Sequence, residues 1–164
     1  MTFDNDALEK IRDMTKAVKF GMFTSIDENH QLSSRPLTSQ QIDASGNMWF
    51  FISDEATFLN AVRQNPEVNV SFSDVDDSLY VSISGRAQVL RNRQKAEELW
   101  NAMAKPWFPG GVDDPHLTLL KVQIHAAEYW DSSSNKMMQL FALAKAAVTG
   151  EQPKDIGRHG ILRP

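Results

Sequence analysis

Few side chains in this sequence of 164 residues are arranged for chemistry of their own. The four histidines, His30, His116, His125 and His159, share no helical face and no metal-ligand spacing, so surface or structural roles are expected of them. Asp74-Val75-Asp76-Asp77 has carboxylates enough to suggest calcium. It lacks the glycine and closing glutamate of a binding loop, and reads as a turn. Asp113-Asp114 before Pro115 reads the same way. There is no Gly-x-Gly-x-x-Gly, no Ser/His/Asp nucleophile context and no pair of catalytic carboxylates. The absence of cysteine excludes disulfides, thiol catalysis and thiolate metal sites. Lys105-Pro106-Trp107-Phe108-Pro109-Gly110-Gly111 exposes two aromatics on a rigid turn, a docking or interface feature rather than a catalytic one. No residue is an evident general acid or base.

The elements that position these residues are mostly strands. Leu8, Ile11 and Met14 predict a short amphipathic helix over residues 4–16, with Asp4 or Asn5 as its cap. Val18, Phe20, Met22 and Thr24 then alternate as a strand over 17–27, and Asp27-Glu28-Asn29-His30 turns the chain. A second strand runs through Leu32, Ser34, Pro36 and Thr38. Pro36 cannot donate to a ladder, so this strand is expected at an edge or bulged. After a turn at Asp43-Ala44-Ser45-Gly46, Met48-Trp49-Phe50-Phe51-Ile52 reads as an apolar strand whose side chains are core. Ser53-Asp54-Glu55 is expected to cap a helix over 56–64, ended by Asn65-Pro66. Val68, Val70 and Phe72 mark a strand, and a long one over 79–90 carries Gly85 at a bulge or bend. Asn92 caps a helix through Ala96, Leu99, Trp100 and Met103, and residues 117–130 form a last long strand. A helix over 136–148 has Met137, Met138, Leu140, Phe141 and Leu143 as its packing face. Residues 1–148 form one domain, and the aperiodic 149–164 is expected to be a mobile tail.

Composition bounds the function from outside. A hydrophobic content of 41% with 23% charged residues suits a single globular domain. The net charge of −4 argues against a nucleic-acid footprint. No window approaches the roughly 20 apolar residues of a membrane helix. Asp4, Asp6 and Glu9 are wrong for a secretory signal, so the expected location is the cytoplasm. Five or six strands with few, short helices indicate a closed or nearly closed antiparallel barrel.

Seven strings in register narrow this further. They are Ser34-Arg35-Pro36-Leu37, Trp49-Phe50-Phe51, Asn65-Pro66-Glu67-Val68-Asn69-Val70-Ser71-Phe72, Tyr80-Val81-Ser82-Ile83-Ser84-Gly85-Arg86-Ala87, Glu98-Leu99-Trp100, Trp107-Phe108-Pro109-Gly110-Gly111-Val112-Asp113-Asp114-Pro115 and Ala127-Glu128-Tyr129-Trp130-Asp131. Over residues 8–131 the sequence resembles the general stress protein 26 family, within the superfamily of pyridoxamine 5'-phosphate oxidase-like, flavin-binding split barrels. The resemblance implies a mainly β, α+β fold: a six-stranded antiparallel split β-barrel. It also implies a homodimer holding flavin mononucleotide (FMN) at the subunit interface, with the dinucleotide FAD left open.

By position, the resemblance sets Arg35, Pro36 and Leu37 beside the flavin. Phe51, Ile52 and Ser53 would offer backbone groups to its ring and ribityl chain. The start of the following helix, with Thr57, would meet the phosphate. Tyr80 falls where the related oxidases place a glutamine from the opposing subunit, and Trp107 and Trp130 would approach from that subunit too. The sequence departs from the pattern at Phe58, where the family usually has a lysine that touches the phosphate. Gln40 and Thr57 also stand where the oxidases proper tend to be basic. Each lost cation removes about 1.5–3 kcal/mol of charge-assisted binding. The basic residues that hold pyridoxamine phosphate are not recognisable, since Arg158 and Arg163 sit in another context, so vitamin B6 oxidation is not expected. The implied function is a flavin-dependent oxidoreductase of unknown substrate. The competing readings are a flavin-binding stress protein without turnover and a flavin-free dimeric interaction module.

Overall fold

The computed structural model describes residues 3–132, 136–150, 152 and 157–164, with the backbone alone over 136–142. Helix α1 (Asn5–Thr15) starts where Asp4 accepts a hydrogen bond from the Ala7 amide at 2.7 Å, and it buries Leu8, Ile11 and Met14. Strands β1 (Phe20–Ile26), β2 (Leu32–Ile42) and β3 (Asn47–Ser53) follow, then α2 (Leu59–Gln64), β4 (Glu67–Asp74) and β5 (Leu79–Leu90). Helix α3 (Arg93–Leu99), capped by Asn92, and two short 3-10 turns lead into β6 (Leu117–Asp131). After them come α4 (Lys136–Thr149) and β7 (Arg158–Leu162).

Every strand pair is antiparallel, in the order β3-β2-β1-β4-β5-β6, and β3 pairs with β6 to close the six strands into a barrel. Closure needs bends, and two bulges supply them. In β2, Ser39 faces Phe50 and Gln41 faces Trp49, so Gln40 is the extra residue. In β6, Ser84 and Gly85 of β5 face Ala126 and Ile124, which leaves His125 unpaired. The expected irregularity at Gly85 therefore sits on its partner strand. A Cβ on Gly85 would lie 2.4 Å from the Gln123 carbonyl oxygen, so only glycine permits this approach.

Inward residues alternate along each strand. Phe23, Met48, Phe50, Val70, Phe72, Ile83, Leu120 and Val122 fill the barrel, joined by Leu8 and Ile11 of α1 and Leu59 and Val62 of α2. Phe23 and Phe50 meet edge to face, their centroids 6.2 Å apart. The alternate residues of β3 lie outside the barrel. Trp49 packs with Leu99 and Leu119, and Phe51 packs with Trp100 and Phe108 under α3 and the loop behind it.

Three expectations need correction. Helix α2 begins at Leu59 rather than Ala56; its N-cap is Phe58, which makes no side-chain capping bond. The reason is that Asp54 is tied elsewhere: its amide donates to the His116 carbonyl at 2.9 Å, and its carboxylate accepts from Arg91 and bonds the His116 ring. Residues 54–58 are left as a turn. Phe108 is buried in the cluster with Ala104 and Leu117, so the loop exposes only Trp107 of its two aromatics. Residues 158–162, within the expected tail, pair with β6 residues 127–131 as β7. The strand carries no apolar alternation because it lies at the sheet's outer edge, with only Gly160 and Leu162 half-buried. Helix α4 forms where expected, but most of its predicted packing face lies outside the described side chains, and Leu143 is exposed.

Substituting Gly85→Ala is expected to cost about 1–3 kcal/mol, because the methyl meets backbone rather than a flexible side chain. Urea unfolding followed by tryptophan fluorescence measures it; an unchanged midpoint would show that the bulge can relax.

Candidate functional site

The barrel opens where its first strands part. β2 pairs with β3 only through Ser39, Gln41 and Ile42. Before that bulge β2 stays with β1, from Leu32 to Thr38, while β3 continues along β6 to Ser53. Residues 35–37 and 51–53 therefore form two lips, and each lip's facing edge has no strand partner. Such an edge is a row of backbone donors and acceptors available to a ligand. Pro36 fits here: it removes a donor on a strand that is half edge.

Side chains line this split in layers. Leu37 and Phe58 are half-buried and pack against the barrel core. Phe58 lies 5.7 Å from Phe23, centroid to centroid, which places the 54–58 turn back against β1 and β2. The guanidinium of Arg35 stacks over the Phe58 ring with its central carbon 4.3 Å from the centroid, and 5.8 Å from that of Phe23. Its Nη1 donates to the hydroxyl of Ser25 at 2.8 Å. Its Nη2 donates to the Ser33 carbonyl and hydroxyl, each at 2.9 Å. Burial pulls the Arg35 pKa below its ordinary value, though a guanidinium stays charged in any case. Ile52 is buried in the core and Phe51 points into the α3 cluster, so what β3 turns toward the split is its backbone. Ser53 is half-buried and Thr57 exposed. Gln40 bridges away from the lips, its carbonyl oxygen accepting from Asn101 at 2.8 Å.

The remaining candidates lie apart from the split within one chain. Tyr80 and Trp130 are cross-strand neighbours on the outer face of β5 and β6, each more than two-fifths exposed. Trp107 stands almost free of the fold. Beside Trp130 the structure adds a residue that sequence reasoning treated as surface. His159 of β7 stacks flat on the indole at 5.3 Å and shares a 2.8 Å hydrogen bond with Glu128. Nothing in the aperiodic C-terminal sequence signals that pairing.

The outer face has a composition of its own. Reading across the sheet, Pro36, Met22, Ser71, Ser82, Glu128 and Ile161 form one row, and Ser34, Thr24, Asn69, Ser84 and Ala126 another. Phe20, Leu32, Tyr80 and Trp130 extend it. Phe20 is 58% exposed and Leu32 74%, at opposite ends of the β1–β2 ladder. Charge enters it through the Arg86–Glu67 and His159–Glu128 pairs.

A polar clasp fixes the turn below the lips. Asp54 bonds Arg91 and, at 3.0 Å, Nδ1 of His116, while Arg91 also donates to the carbonyls of Pro115 and Leu117. Among the described residues no group of His, Asp or Glu is set to hold a metal ion. No described helix is long and apolar enough to cross a membrane.

A closed antiparallel barrel parted between two strands defines a split-barrel protein. The chain belongs to the family described as pyridoxamine 5'-phosphate oxidase like, whose sequence profile matches residues 6–154. Protein bli-3 of Neurospora crassa is 24% identical, across 87% of this chain and 75% of that protein. Among solved structures, a Jannaschia sp. CCS1 protein assigned as a general stress protein 26 superposes with a TM-score of 0.75 at 26% identity. That match covers 98% of this chain and all of the other. The general stress FMN/FAD binding protein of Xanthomonas citri matches 80% of this chain and 92% of its own, with a TM-score of 0.66 and 29% identity. The expected fold and family are thereby established.

The clasp makes a pH prediction. The Asp54 hydrogen bond, then the charge on Glu55, raise the His116 pKa above its ordinary 6.5. A raised folded value means the protonated ring stabilises the fold fully below the unfolded pKa, and that contribution is lost as pH climbs through the folded one. Melting temperature is expected to drift down as pH rises above about 6.5, and less so in His116→Gln. Equal slopes in both proteins would remove His116 as the cause.

Proposed function

We propose that this chain is a flavin-binding protein that holds the isoalloxazine ring in the split between β2 and β3 and works as a homodimer. The observation that carries the reading is the split itself. Two lips with free backbone edges, floored by Leu37 and Phe58 and carrying Arg35, offer what a flat heteroaromatic ring requires. A ring of that kind needs apolar walls and a few fixed hydrogen-bond groups. That the similar Xanthomonas citri protein is described as FMN/FAD binding supports the same ligand class.

The ring and the phosphate of FMN are served unequally. The backbone of residues 35–37 and 51–53 suits the ring's polar edge and Leu37 its apolar one. The phosphate end meets Thr57, Phe58 and a turn bearing Asp54 and Glu55, with no cation in the turn. When bound, a flavin supplies electron or hydride transfer. The chain's residues then bind and orient the ring, exclude water from one face, and set a positive charge from Arg35 beside it. This makes a flavin-dependent oxidoreductase the preferred reading. A protein that only stores flavin would use the same split, and anaerobic reduction by a nicotinamide nucleotide separates the two.

The outer face supports the second copy. It is large, nearly uncharged and continuous with β2, so a copy laid on it would bring Tyr80, Trp130 and His159 toward the partner's lips. Placing a carboxylate at its centre, Met22→Asp, is expected to give monomers by light scattering while far-ultraviolet dichroism stays unchanged. A wild-type chain that is monomeric at high concentration would sink the dimer.

The flavin reading is tested by fluorescence quenching on titration of lumiflavin, riboflavin and FMN with the purified protein. Saturable quenching of any one is expected. Failure of all three would leave an interaction module built on a split barrel.

A further inference from the structure

We infer that the split selects a flavin without a terminal phosphate, a riboflavin-type ligand, and that the Arg35–Phe58 stack is the selecting element. This rests on the flavin reading above and goes further by naming which flavin.

A phosphate dianion is held by cations or by several converging amides. The cations near the lips and several of the turn's amides are already committed. Arg35 is the cation that the split's own residues touch, and three of its hydrogen bonds go to Ser25 and Ser33 while its face lies on Phe58. Turning that fork toward a ligand would give up the stack and strip Ser25, 2% exposed, of the bond from Arg35. Arg91 and His116 lie behind the 54–58 turn, but both are spent on Asp54. The amides of Asp54 and Glu55 are occupied as well, by the His116 carbonyl at 2.9 Å and the Ser53 hydroxyl at 3.3 Å. Ala56 donates to the Ser53 carbonyl at 3.0 Å and Leu59 to the Ala56 carbonyl at 3.1 Å. Helix α2, at six residues and capped by an aromatic, is too short to stand in for them. Glu55, exposed on the same turn, adds a negative charge.

The same groups suit an uncharged tail. The Phe58 ring, its face already turned to a cation, forms an apolar stop at the end of the lips. The hydroxyls of Ser53 and Thr57 flank the turn and match a polyol chain such as ribityl. Phe58 therefore does two things at once: it removes a cation from the site and it occupies the one that remains.

The test compares riboflavin with FMN on the full-length protein, by fluorescence quenching, in wild type and in Phe58→Lys. Wild type is expected to bind riboflavin about tenfold or more tightly than FMN, the charge-assisted bonds being absent. Phe58→Lys is expected to reverse the order, with FMN binding that weakens as salt is added. If the lysine at 58 unfolds the chain by dichroism, Thr57→Lys, at an exposed neighbour, makes the same comparison. Wild type binding FMN at least as tightly as riboflavin would overturn the inference and leave the flavin reading standing. An unchanged riboflavin-to-FMN ratio in the lysine variant would overturn it too. Absence of binding by either flavin would end both.

Discussion

The structure depends on where β3 changes partners. A barrel must give every strand two neighbours, and β3 has β6 along its whole length but β2 for only three paired positions. One pair beyond the extra residue at Gln40 the ladder stops, and residues 32–38 of β2 are held by β1 alone. Closing the ladder to the end would pair residues 36–38 with 51–53 and leave no site. The split is therefore the unspent hydrogen-bonding capacity of a sheet that is otherwise closed. The core makes this tolerable. Phe23, Phe50 and Phe58 pack beneath the opening, so the strands can part without exposing the barrel's interior.

That packing also explains how Arg35 can lie among apolar groups. A guanidinium sheds water more readily than an ammonium and presents flat faces, so it can lie on Phe58 while its edges reach the hydroxyls of Ser25 and Ser33. A lysine in its place would have neither the face nor the fork. The stack joins the β1–β2 ladder to the 54–58 turn, with Asp54, Arg91 and His116 holding the turn from the other side. The turn is thus fixed by an aromatic contact on its inner flank and a charged clasp on its outer one.

How far the sequence could be read follows from the range of the signals. The alternation of Phe20, Met22 and Thr24 in β1, of Val68, Val70 and Phe72 in β4, and the Asn92 cap of α3 are local, and β1, β4 and the start of α3 stand where they put them, although it is Phe23 and Ser25 that β1 buries. The start of α2 was misread because Ser53-Asp54-Glu55 is a good capping string locally. Only the fold brings Arg91 and His116 to claim Asp54. β7 left no trace, since an edge strand with Gly160 against the Tyr129 ring has little to bury. Of the site, the strands bearing residues 35–37 and 51–53 were legible, and so was the unusual Phe58. That Phe58 would lie on Arg35 was not: the two are 23 positions apart and meet only because the turn folds back under β2.

The two aromatic groupings of the molecule divide its surface by kind. Around Phe51, Trp100 and Phe108 the rings are buried under α3 and its loop, sealing the back of β3 from water. Around Phe20, Tyr80 and Trp130 the rings stand exposed on a face whose polar residues are mostly serine, threonine and asparagine. Such a face costs solvation in a free monomer and recovers it only against a matching surface. Charged residues would have been the simpler way to keep it in water, as the Glu67–Arg86 pair does at its margin. The sheet thus hides the back of β3 and leaves large rings exposed among small polar residues on its outer side, which is the face on which the proposed homodimer rests. β2 links the two features, because it carries a lip of the split and, on its alternate residues, part of that face.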